Sequence, residues 1–133
     1  MIPLVSKATY KGIPVSDFAD KAKLDQVSND TMVGGATLTK LLGTSAWYAP
    51  GAAAAMVVES ILKDQKKVIP SCVALNGEYG QKDIHIGVPA VIGRGGVEKV
   101  LEINLTDEET AEFAKSAEAV RKTNDVLKEI GAL

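Results

Sequence analysis

From Ala52 to Val58 the chain reads AAAAMVV, without one polar side chain. No face of that stretch wants water, so the pattern predicts a helix buried nearly all round. Pro50 suits the first helical position, where its missing N–H would be unpaired anyway. The run of alanines lets other elements come close to the backbone. Around it lies LLGTSAWYAPGAAAAMVVESIL, residues Leu41–Leu62, with the only tryptophan, Trp47, beside Tyr48. This is the segment the rest of the chain is expected to clad.

Before it, Met1 to Val15 reads as short extended pieces around a Tyr10-Lys11-Gly12 turn, apolar from the outset at Ile2, Leu4 and Val5. Ser16-Asp17 can cap a short helical turn. A helix is then expected to begin between Lys23 and Asp30 and to run to Leu42. Its apolar set is Val33, Ala36, Leu38, Leu41 and Leu42, and Gly43 supplies the stop. Gly34-Gly35 inside it costs roughly 1 kcal/mol per glycine in an exposed helix. Close packing against another helix is the preferred explanation, and backbone approach to a ligand is the alternative.

After Lys63, Lys66 and Lys67, which suit the negative pole of a helix C-terminus, the period changes. Val68-Ile69 and Val73-Ala74-Leu75 predict a strand that Pro70 marks as an edge or a bulge. Asn76 to Gly80 turns it. Ile84, Ile86 and Val88 alternate with His85 and Gly87, which places His85 away from the apolar face. That strand continues to Ile92, Gly93-Arg94-Gly95-Gly96 turns tightly, and Val97 to Leu105 returns. The pattern is a three-stranded antiparallel meander. Thr106 with Glu109 forms a capping box. It opens a last helix from Asp107 to Ile130, about 36 Å long at 1.5 Å per residue, with Phe113, Ala117, Val120 and Leu127 as its buried stripe. The fold class is therefore α+β, a meander packed against long helices.

Composition adds little to this picture and removes several options. The 133 residues, 46% hydrophobic and 24% charged, fit one globular domain. A net charge of −2 with scattered Lys and Arg offers no basic stripe for nucleic acid. Cys72, alone, forms no disulfide framework or cysteine zinc site, and its apolar neighbours predict a buried structural thiol. Met1-Ile2-Pro3 lacks a signal-peptide pattern, and the longest apolar run is short of a membrane span. A cytoplasmic location is the expectation.

Candidate chemistry is sparse. His85 is a possible general base, with Asp83 the nearest acid, but a solvated strand histidine fits better. Gly93-Arg94-Gly95-Gly96 lacks the third glycine and the following helix of a dinucleotide fingerprint. Asp107-Glu108-Glu109 is an acidic helix N-terminus, and three successive residues cannot all face one metal ion. Arg94 and Arg121 are the only arginines, too few to build a carboxylate clamp.

Taken in order, MIPLVSKATYKGIPV, VGGATLTKLLG, SAWYAPGAAAAMVVESIL, KDQKKVIPS and GEYGQKDIHIGVPAVIGRGGVEKVLEINLTDEE resemble the C-terminal, substrate-side domain of the lactate/malate dehydrogenase family. The resemblance implies that residues 1–133 form a substrate-binding and oligomerisation domain. It implies that Ser45 and Ala46 line the substrate pocket and that Ala49 and Pro50 lie near a nicotinamide ring. The small Ala46 would leave room for a dicarboxylate, hence malate and oxaloacetate. In the family the catalytic histidine, in a His-Gly-Asp tripeptide, stands just before the segment matched by Met1-Ile2-Pro3-Leu4. Its orienting aspartate, the carboxylate-binding arginines and the NAD-binding domain also lie upstream. No catalytic residue is therefore expected here, no metal, and no NAD bound to this chain alone, which should be inactive by itself. A homo-oligomer, dimer or tetramer, is implied; nucleic acid and membrane are not. Two other readings stay open: a stand-alone protein-interaction or ligand-binding module, and a small lyase or hydrolase using His85.

Overall fold

A computed structural model describes residues 1–131. Internal packing divides the chain into two compact units. The first comprises Met1–Tyr48 and Leu105–Phe113; the second begins with Ala49–Asn104 and takes up the chain again from Ala114.

In the first unit, β1 (Thr9–Tyr10) and β2 (Ile13–Pro14) form a minimal hairpin. Its turn residues Lys11 and Gly12 both have positive φ, 51° and 83°, the geometry that matches the twist of paired strands. Helix α1 spans Lys21–Leu42. It starts earlier than its apolar pattern suggests because the side chain of Asp20 accepts the Lys23 N–H at 2.9 Å, which satisfies one of the unpaired donors of the first turn. It stops where expected, with Gly43 in the left-handed region at φ 68°. Among the described residues the Gly34-Gly35 pair does not pack against another helix: a Cβ at either position meets nothing within 4 Å. That expectation is corrected, because the middle of α1 is exposed on all sides.

In the second unit, β3 (Lys67–Asn76), β4 (Lys82–Gly93) and β5 (Gly96–Val100) make the antiparallel meander, in the order β3-β4-β5. One face is the core. Ile69, Val73 and Leu75 of β3 lie beside Ile84, Ile86, Val88, Ala90 and Ile92 of β4, all buried. The strand ending at Val100 is shorter than the apolar run to Leu105 predicts. Leu101 N–H still donates to Pro89 O at 2.9 Å, but Ile103 N–H donates instead to the Tyr79 hydroxyl at 3.1 Å. A side chain has taken the donor that a longer ladder would use.

Pro70 lies opposite Pro89. Since Pro89 O points toward β5, its nitrogen does too, and the two prolines form a non-hydrogen-bonded pair. The nitrogen of Pro70 therefore faces the free edge of β3, where a missing N–H breaks no rung of the ladder.

Helix α2 (Tyr48–Leu62) begins two residues before the proline, which sits in the first turn, where N–H groups are unpaired in any case. Its predicted burial is corrected. Ser60 is its one buried residue, and positions 51–56 are exposed. The hydrophobicity states what the helix prefers, and the described residues do not supply the cover. Ser60 Oγ donates to Ile92 O at 2.6 Å, which pins the end of α2 to β4. Helix α3 (Asp107–Glu129) carries Ala117 buried, with Phe113 and Val120 half-buried, whereas Leu127 is exposed. Arg121 of α3 donates to Gln81 Oε1 and Lys82 O, both at 3.1 Å.

Cys72 is exposed, contrary to the reading of its neighbours. It shares a face of β3 with Val68, Pro70 and Ala74, all exposed. Alternation puts Val73 in the core and Cys72 opposite.

Candidate functional site

The candidate residues fall on the turn between α1 and α2 and on the first turn of α2. Gly43 ends α1 by turning the chain into the left-handed region, a conformation that costs a glycine least. Thr44 to Trp47 then cross to α2 without regular structure. Ser45 is exposed and Ala46 half-buried. Trp47 and Tyr48 are 74% and 95% exposed. In α2, Ala49 and Pro50 are both exposed, a small apolar surface without a side-chain donor or acceptor. Such side chains can meet the face of a flat ring.

His85 lies on β4 opposite Ala74, exposed on the face away from the core. Among the described residues, nothing gathers it with an acid, a nucleophile and a cavity. Gly93 to Gly96 form the β4–β5 hairpin, its turn closed by Asp64, whose carboxylate accepts the Arg94 N–H at 2.9 Å. Among the described residues no group of His, Cys, Asp and Glu is arranged to hold a metal ion.

Residues far apart in sequence frame a cavity in the first unit. Its volume is about 530 Å³, and its lining includes Met1, Ile2, Ser6, Leu24, Met32 and Glu109. The capping box identifies Glu109, and the structure bears it out: Thr106 N–H donates to Glu109 Oε2 at 2.9 Å, and Glu109 N–H donates to Thr106 Oγ1 at 3.2 Å. The same carboxylate also accepts the Ser6 hydroxyl, a contact that no local pattern announces. Burial raises the Glu109 carboxyl, but the hydrogen bonds from Thr106 and Ser6 outweigh it and hold it below the usual carboxylate value.

Comparison with known proteins decides the family. Residues 1–130 match the model for the lactate/malate dehydrogenase, alpha/beta C-terminal domain. The chain belongs to the lactate/malate dehydrogenase family. It is 64% identical over 133 residues to a malate dehydrogenase of Bacteroides thetaiotaomicron, a match that covers 100% of this chain and 42% of that protein. Among solved structures of the family, the malate dehydrogenase from Salinibacter ruber superposes with a TM-score of 0.93 at 43% identity, over 98% of this chain and 44% of that one. The lactate dehydrogenase from Eimeria maxima with NADH and oxamate gives 0.92 at 34% identity, over 98% and 42%. The chain thus spans less than half the length of these family members. The three-stranded antiparallel sheet with its helices is the fold of the family's C-terminal domain.

Proposed function

We propose that these residues form the substrate-binding and oligomerisation domain of an NAD-dependent malate dehydrogenase that interconverts malate and oxaloacetate. The observation that carries the reading is the 64% identity to a malate dehydrogenase along the whole chain. Ser45 and Ala46 form part of the pocket wall for the substrate. Ser45 offers an exposed hydroxyl and Ala46 the space for a second carboxylate.

NAD, when bound to the enzyme, supplies the hydride acceptor. Ala49 and Pro50 fit the nicotinamide end, because their apolar surface is open at the start of α2. The rest of the cofactor and the proton transfer at the substrate alcohol fall to groups outside these 133 residues. His85 takes no part, since it stands exposed on the outer face of β4. The working enzyme is a homo-oligomer, dimer or tetramer, in the cytoplasm. No described helix is long and apolar enough to cross a membrane.

The test is an assay of the purified chain alone with NADH and oxaloacetate. The expected result is no turnover above the uncatalysed background. Robust NADH oxidation by the chain alone would overturn the division of labour proposed here.

A further inference from the structure

We draw no further inference here: the strongest candidate, the apolar surface that α2 leaves uncovered along residues 51–58, carries nothing because nothing in the structure shows what covers it.

Discussion

Ser6 donates its hydroxyl to both carboxylate oxygens of Glu109, at 2.7 and 2.9 Å, across 103 positions of sequence. Through this contact the capping glutamate of α3 also holds the 3-10 turn Val5–Lys7 near the start of the chain. One carboxylate serves the helix end and a distant segment at once.

Glu109→Gln keeps an acceptor for the Thr106 N–H but removes the charge, so it should destabilise the chain at neutral pH by about 0.3–1 kcal/mol, the scale of an acid at a helix N-terminus. The pH dependence has a definite sign. The carboxyl is held below its ordinary value in the fold, so its contribution is complete above the unfolded value of about 4.3. It is lost as pH falls through the lower folded value. Urea midpoints of parent and variant should therefore converge on acidification. A gap that stays constant into the acid range would show that ionisation of Glu109 is not what matters.

Ser60→Ala should cost about 0.5–1.5 kcal/mol, the net worth of one hydrogen bond. Ser60 is 0% exposed and its hydroxyl makes the 2.6 Å bond that fixes α2 to the sheet. The measurement is again the denaturant midpoint. An unchanged midpoint would mean that this bond adds nothing to the packing of α2 on the sheet.

Alanine at Gly34 or Gly35 should stabilise this chain by up to about 1 kcal/mol each, through helix propensity. An added methyl group meets no atom within 4 Å at either site. Thermal unfolding of the two variants reads the effect directly, and a lowered midpoint would reveal that something already occupies that space.

In a full-length enzyme carrying this domain, Ala46→Leu should lower kcat/KM for oxaloacetate about tenfold or more relative to a smaller 2-oxo acid, about 1.4 kcal/mol of discrimination. The half-buried Ala46 has the small side chain from which this expectation starts. Equal losses on both substrates, or no loss, would remove Ala46 from the specificity wall.

Local chemistry made much of the fold legible. Gly43 as a stop, Thr106 with Glu109 as a start, and the alternation through Ile84, Ile86 and Val88 each act over a few residues, and each appears in the structure. What escaped was set by distance or by competition. The start of α1 is set by a contact, Asp20 accepting the Lys23 N–H, that precedes the apolar pattern of the helix. β3 is apolar at Val68, Cys72 and Ala74 as well as at Val73 and Leu75, so its pattern cannot reveal that one face stays open. The same holds for α2, whose composition records a preference for burial without naming a neighbour. Only family likeness points to the turn carrying Ser45 and Ala46, since a serine and an alanine have no spacing of their own to betray a pocket.

Pro70 is the fourth residue of a ten-residue strand whose outer border is unpaired among the described residues, with its nitrogen turned to that border. A foreign strand annealing there would find a gap in the row of donors. The sheet thus carries its own barrier to open-ended, fibril-like growth, placed where the ladder to β4 loses nothing by it.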